Sequence, residues 1–446
     1  MNEATRDYIL QHREDDVRQL ALKGTGKGEV DLPLALQQIA GWQVARRKVP
    51  TWAACDDVLY PPHLSMEQCS SEQTARYKAS LLPSPSSLNA PRSARPEGAL
   101  ATERDARTLN PSPSTFIDLT GGFGVDFYFM AHEAYKSYTP HKAHKPVYVE
   151  QQEHLCDLAR HNFALLGLDC TVVCASAADF LPQLNHADII YLDPARRDKH
   201  GARTYSIEDC TPNVLELLPL LLDKADRILL KLSPMLDWHK AVDDLGCVSE
   251  VHIVSVHNEC KELLLVLQQE PSDALRLICV NDGSVFETSP NVGPKRSQRG
   301  TETVPAWDQN GPSMGPFEEK GAPVDPSYLY EPNASIMKAG CFDEIADFYQ
   351  VRELSANSHL FVSDHAISDF PGRCFRVEAV TTMNKQELKV ALQGIDRANI
   401  TVRNFPMSVD ALRKKLRLKD GGDVYLFATT MSNGEHRLFV CRKAKV

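Results

Sequence analysis

The stretch that constrains this chain most is FIDLTGGFGVD, from Phe116 to Asp126, where an apolar run breaks into a glycine-rich loop and then into a helical pattern. It reads as a strand, a tight turn and a helix start. Gly121, Gly122 and Gly124 lack the β-carbons that keep a backbone from approaching a ligand, and the helix that follows offers unpaired N–H groups in its first turn. A unit of this kind predicts an open α/β sheet with something bound at its strand ends.

The surrounding pattern agrees with such a sheet. Short β-rich runs (FIDLT at Phe116, PVYVE at Pro146, CTVVC at Cys170, DIIYLD at Asp188, RILLKLS at Arg227) alternate with amphipathic segments such as Gln152 to Leu166 and Thr211 to Leu222. Continuous apolar strands separated by helices predict a parallel sheet covered on both faces. Two further runs, VSEVHIVSVHN at Val248 and ELLLVLQ at Glu262, follow each other with almost no spacer, which predicts an antiparallel hairpin at the sheet edge and seven strands in all.

Before the sheet, helical patterns run over Tyr8 to Ala21, Pro33 to Lys48 and onward from Leu64, with Ser65, and Ser70 or Ser71, placed as successive helix caps. Residues from Leu82 to Ser114 are rich in Pro, Ser, Ala and Arg and read as a flexible insert. After Glu270 come a strand pair (LRLICV, SVFETS), a Gly/Pro-rich tract from Val292 to Pro326 that reads as a loop insertion, and a helix expected over Glu344 to Leu354. A last α/β domain follows, with strands at Arg373, Asn399, Asp423 and His436 and helices over Lys385 to Gly394 and Ser408 to Leu416. The expected organisation is therefore an N-terminal helical region (1–81), the insert (82–114), a sheet domain (115–270), a small element with its own insert (271–340) and a terminal domain (341–446).

Composition narrows the function. With 446 residues, 43% hydrophobic and 24% charged, the chain has ample core, no run of bilayer length and no signal-like start, so a cytoplasmic, non-membrane protein is expected. Its 12 cysteines are scattered without C-x-x-C or zinc spacing, which fits a reducing compartment and predicts no metal site. A net charge of −10 argues against binding nucleic acid over the whole surface but leaves room for a local basic face.

The ligand can be read from the charges at the strand ends. A pyrophosphate would be repelled by Asp118 and Asp126, whereas a ligand with ammonium and sulfonium groups suits them; S-adenosylmethionine is such a ligand. Asp118, Thr120, Gly122, Gly124 and Asp126 are then its loop contacts, and Glu150, with Gln151 after it, stands where an acid grips ribose hydroxyls. The turn after the third strand should meet the adenine through the Ser176 hydroxyl, the Ala177 amide or Asp179. In YLDPARRD, from Tyr191 to Asp198, Pro194 fixes the turn that presents Asp193 as an acceptor for an attacking N–H. Arg196 and Arg197 either pair with Asp198 or meet a substrate phosphate. KLSP, Lys231 to Pro234, forms the far wall, and Gln68, Ser70, Ser71 and Tyr77 either close over the site or only cap helices.

These motifs resemble the bacterial class I S-adenosylmethionine-dependent methyltransferases with a C-terminal THUMP-like domain. The resemblance rests on LSMEQCSSEQTARYKA from Leu64, FIDLTGGFGVD, YVEQ, YLDPARRD, NECKELLL from Asn258, YLYEPNASIMKAG from Tyr328 and the run from Asn399 to Thr430. It implies a Rossmann-like seven-stranded sheet, a ferredoxin-like element and a THUMP-like domain. THUMP domains dock structured RNA, so RNA is the implied partner. From Asp396 onward about eleven Lys and Arg face about five Asp and Glu, and Arg413, Lys414, Lys415, Arg417 and Lys419 are the candidate RNA contacts. Asp193, Pro194 and Arg196 are the candidate catalytic residues, although Ala195 and Arg196 stand where amine-methylating enzymes carry a proline and an aromatic. A protein or small-molecule methyltransferase, or a non-catalytic RNA-binding factor, are the rival readings.

Overall fold

Among the described residues six helices precede the first strand: α1 (Glu3–His12), α2 (Val17–Lys23), α3 (Leu32–Lys48), α4 (Pro50–Ala53), α5 (His63–Gln68) and α6 (Glu72–Ser80). The single helix expected over Tyr8 to Ala21 is two, because the Asp16 side chain accepts from the amides of Arg18 and Gln19 and starts α2 afresh. Ser71 caps α6 by accepting from Thr74, whereas Ser65 lies inside α5 and caps nothing at its start.

The computed structural model describes residues 1–24, 28–82, 115–135, 145–195, 207–270, 274–290, 326–355 and 357–444. Nearly all of the insert expected at 82–114, the tract expected at 292–326 and residues 196–198 lie outside them. The chain divides into two units, Met1–Val256 with Lys261–Ala274, and His257–Cys260 with Leu275–Val446.

In the first unit β1 (Phe116–Asp118), α7 (Val125–Tyr135), β2 (Val147–Glu150), α8 (Glu153–Leu165), β3 (Thr171–Cys174) and α9 (Ala177–Phe180) alternate along the chain. They continue into β4 (Ala187–Leu192), α10 (Val214–Lys224), β5 (Ala225–Leu232), α11 (Trp238–Leu245), β6 (Val248–Val256) and β7 (Glu259–Leu267). The strands order as β3-β2-β1-β4-β5-β7-β6. The first five are parallel, and β7 enters antiparallel to β5. His257 and Asn258, both at positive φ (51° and 60°), make the tight turn between β6 and β7.

One face of this sheet carries the N-terminal helices. Trp52, fully buried, meets Phe123, Tyr128 and Phe163 edge-on at 4.9, 5.6 and 6.5 Å, within a cluster that also holds Tyr191, Leu229 and Val266 from the strands. Asn162, also fully buried, accepts from the Leu59 amide and donates to its carbonyl, both at 2.9 Å. Ile117, Ile190, Leu192, Ile228 and Leu230 alternate onto the opposite face and are as deeply buried, which is why these strands read as unbroken apolar runs.

The second unit holds a hairpin, β8 (Arg276–Asn281) with β9 (Ser284–Thr288), followed by β10 (Tyr328–Pro332), α12 (Ala334–Ala339), α13 (Phe342–Tyr349), β11 (Arg352–Glu353) and β12 (Phe361–Ser363). Next come β13 (Gly372–Thr381), α14 (Lys385–Ala391), β14 (Asn399–Arg403), α15 (Val409–Leu416), β15 (Val424–Thr430) and β16 (His436–Lys443). The strands from β10 on form one sheet, β11-β12-β10-β13-β16-β15-β14. The helix expected over Glu344 to Leu354 stops at Gln350, whose φ of 53° ends α13 in the left-handed region and leaves Arg352–Glu353 for a strand. Leu388 from α14 and Leu412 from α15 cover one face with Leu426 and Leu438; Leu329, Phe375 and Phe439 fill the other.

Candidate active site

Asp118, only 1% exposed, ends β1 and opens the loop: its Oδ1 accepts from the Thr120 amide at 2.9 Å. Thr120 Oγ1 in turn accepts from the Asp193 amide at 2.6 Å, tying the end of β1 to the end of β4. The Gly122 amide donates to Glu150 Oε2 at 2.9 Å and the Gln152 amide to Oε1 at 2.8 Å, so β2 is fastened to the same loop. Three strand-end acids, Asp118, Glu150 and Asp193, therefore gather at the C-terminal edge of the parallel strands, where open α/β sheets take their ligands.

The three loop glycines do different things. A β-carbon on Gly121 would sit 2.1 Å from the Tyr148 ring, and one on Gly124 would sit 2.6 Å from Phe163, so these two are small in order to pack. Gly122, with φ at +57°, would meet nothing nearer than the Thr120 carbonyl at 3.8 Å. It alone turns an open backbone face outward, and the free approach expected of all three narrows to this residue.

Beneath the loop lies a buried ionic network that the sequence did not announce. Lys78 from α6, with no exposed surface, places Nζ 2.5 Å from Glu262 Oε2 and 3.1 Å from Asp126 Oδ1. Ser70 Oγ lies 2.8 Å from Asp126 Oδ2 and 3.2 Å from Glu262 Oε1, and accepts from Lys78 at 3.0 Å. The Tyr191 hydroxyl donates to Asp126 at 2.7 Å. Lys231, at the end of β5, reaches Asp193 Oδ2 at 2.5 Å, Ser70 Oγ at 3.3 Å and Asp126 Oδ2 at 3.8 Å. The only outward signs of this arrangement were a lysine in a capped helix and single charges set in the apolar runs RILLKLS and KELLL.

Burial and partners tune these groups in opposite senses. Burial drives the Asp118 carboxyl well above the usual carboxylate range, and the nearby charges of Asp126, Asp193 and Glu150 add to it. Burial also acts upward on Asp126, but Lys78, Lys231 and the hydrogen bonds from Tyr191 and Ser70 outweigh it and hold that group low. Burial lifts Asp193, though its side chain is 36% exposed at the mouth, and the Lys231 ammonium pulls it only partly back. Lys231 itself stays above the ordinary lysine value, because Asp193, Asp126 and Glu262 overcome its desolvation.

Other predicted residues fall as follows. Asp126 turns its carboxylate to the network, where the protein's own groups take it up. Ser176 caps α9 and bonds Asp179 at 2.6 Å, the Ala177 side chain is buried, and Gln151 is exposed beside Glu150. Pro194 is buried, and Ala195 exchanges backbone hydrogen bonds with Thr211 at 2.8 and 2.9 Å. Arg196 lies outside the described residues. Gln68 is exposed at the end of α5, and Tyr77 bonds His252 Nδ1 at 2.7 Å, so of the polar helix-start residues it is Ser70 that enters the network. In the second unit Lys414, Lys415, Arg417 and Lys419 are exposed around the end of α15, while Arg413 is drawn into ion pairs with Asp410 and Asp420. Among the described residues no cluster of His, Cys, Asp and Glu suits a metal, and no helix is long and apolar enough to cross a membrane.

The strand order, with β7 antiparallel between β5 and β6, and the acids at the strand ends define a class I methyltransferase fold. Comparison with known proteins agrees. Residues 328–371 match a ferredoxin-like domain family and residues 372–443 a THUMP domain-like family. A crystal structure from Porphyromonas gingivalis W83, assigned as a methyltransferase, is 29% identical with a TM-score of 0.75, covering 99% of this chain and 98% of that one. Uncharacterized S-adenosylmethionine-dependent methyltransferases from two strains of Mycobacterium tuberculosis are 22% identical over 300 residues, 65% of this chain and 73% of theirs. Together these matches support a class I S-adenosylmethionine-dependent methyltransferase with a C-terminal THUMP-like domain. The family boundary at 371/372 falls later than the 340/341 read from sequence; β10 and β13 pair across it within one sheet, so no linker composition marks it.

Proposed function

We propose that this protein methylates a base in RNA, with S-adenosylmethionine as the donor and the THUMP-like domain as the RNA dock. The observation that carries the reading is the gathering of Asp118, Glu150 and Asp193 around the open face of Gly122. The residues fit the cofactor on charge: five carboxyls, Asp118, Asp126, Glu150, Asp193 and Glu262, stand against two ammoniums, Lys78 and Lys231, a balance that favours a cation and disfavours a phosphate. Glu150 would hold the ribose hydroxyls with the lone pairs its two amide partners leave over, and Asp118 the cationic end. The turn at Ser176, Ala177 and Asp179, with Gln151 beside it, would line the adenine.

Bound there, S-adenosylmethionine supplies an electrophilic methyl group. The chain's part is to aim the acceptor. Asp193 is set by the hydrogen bond its backbone amide donates to Thr120 Oγ1 and by the fixed φ of Pro194, and its carboxylate orients an N–H for attack. Arg196 would meet a substrate phosphate. RNA as substrate draws its support from the THUMP-like match and from the exposed Lys414, Lys415, Arg417 and Lys419.

The test is transfer of labelled methyl groups from S-adenosylmethionine into an extract of cells lacking the gene, followed by ribonuclease or protease. Label that ribonuclease releases, and that Asp193→Ala abolishes, is the expected result. Label that resists ribonuclease and yields to protease would overturn the RNA assignment and leave a protein methyltransferase.

A further inference from the structure

Lys231 is an odd residue for its place. The strand ADRILLKL is otherwise apolar toward its end, its neighbours Leu230 and Leu232 are buried, and the lysine side chain keeps 11% of its surface. A lysine costs several kcal/mol to desolvate, and a buried ion pair is rarely better for stability than a well-packed leucine. Stability therefore gives no reason for this charge. Its surroundings do: Nζ lies 2.5 Å from Asp193 Oδ2, and Ser70 Oγ and Asp126 hold it from the other side, Asp126 being matched in turn by Lys78 and Tyr191. Glu262 adds a further charge nearby, itself paired to Lys78. Lys231 is thus a built counter-charge aimed at the acid that faces the acceptor.

We propose that Lys231 is a specificity-determining residue: by neutralising Asp193 it limits how far the mouth of the site prefers the positively charged sulfonium of the donor over the uncharged thioether of the product. The inference rests on the S-adenosylmethionine reading above. Both ligands share the adenosyl group, the ammonium and the carboxylate, so the ratio of their dissociation constants isolates the charge at sulfur. With Lys231 and Asp193 both present, the pair is neutral. Removing the lysine leaves a carboxylate, and removing the acid leaves an ammonium.

The experiment titrates the full chain calorimetrically with S-adenosylmethionine and, separately, with S-adenosylhomocysteine. In Lys231→Met the ratio of thioether to sulfonium dissociation constants should rise about three- to tenfold, the effect of one unit charge several ångströms away in a partly solvated site. In Asp193→Asn it should fall by a similar factor, and the double variant should return close to the wild-type ratio. Lys231→Arg, which keeps the charge, should stay within about twofold. Asp193→Asn reads the same charge balance should Lys231→Met fail to fold. Ratios that do not move, or a double variant that is not restored, overturn the proposal and leave the cofactor reading intact. A wild-type chain that binds neither ligand overturns both.

Discussion

A carboxyl as buried as Asp118 does not ionise freely, and the three acids around it make ionisation harder still. In the free protein it holds its proton above the point where an ordinary aspartate loses it. A cationic ligand reverses that preference. Binding of S-adenosylmethionine should therefore release a proton from Asp118, most strongly between the ordinary aspartate value and the raised free-state one, and the release should fade as the pH rises past the latter. Calorimetry in buffers of different ionisation enthalpy measures it directly. The Asp118→Asn variant should remove most of the released proton, and an unchanged release would assign it elsewhere, Asp193 being the other lifted acid. At this scale the sequence was only partly legible. Strand-end acids and a proline-fixed turn follow from local pattern, so Asp118, Glu150 and Asp193 could be named in advance. Gly121, Gly122 and Gly124 looked like one device, yet two of them answer to Tyr148 and Phe163, rings brought there by β2 and α8. Packing of that kind carries no local signature.

Elements were more legible inside the sheet than around it. A buried parallel strand is apolar on both sides whatever its partners, so its run survives in the sequence, and the short spacer before Glu262 betrayed the antiparallel insertion. Helix ends were harder, because Asp16 as a cap and Gln350 at positive φ interrupt patterns that look continuous. Hardest was what the N-terminal helices are for. They cover one face of the sheet; α6 delivers Lys78, and the turn before it Ser70, beneath the loop. Two variants separate cover from cap. Trp52→Ala removes a fully buried ring from between Phe123, Tyr128 and Phe163 and should cost about 3–5 kcal/mol of stability in denaturant titration. Ser71→Ala removes the cap's bonds with the Thr74 amide and hydroxyl and should cost about 1 kcal/mol, with cofactor affinity unchanged. A loss of affinity in Ser71→Ala would mean that the start of α6 touches the ligand itself.

For the molecule as a whole, the net charge of −10 sets the terms on which RNA can be held. An acidic protein repels a polyanion at long range, so any docking must come from a local reversal of sign, within the roughly 10 Å over which charges act in physiological salt. The end of α15 offers that reversal. Arg413 is no part of it, since its guanidinium is already paired with Asp410 and Asp420, but Lys414, Lys415, Arg417 and Lys419 extend into solvent. Exchanging these four for glutamate should abolish or strongly weaken RNA binding by the full chain. Exchanging one at a time for alanine should flatten the dependence of log affinity on log salt by about 0.7–0.9 for each phosphate no longer neutralised. Binding of S-adenosylmethionine should be unaffected, because these residues belong to the second unit and Asp118, Glu150 and Asp193 to the first. Gel-shift titration against the cell's own small RNAs over a salt series, paired with cofactor calorimetry, measures both. RNA binding that survives the four exchanges would move the dock to another face. If methyl transfer to RNA survived with it, the basic cluster would be no more than a solvated helix end.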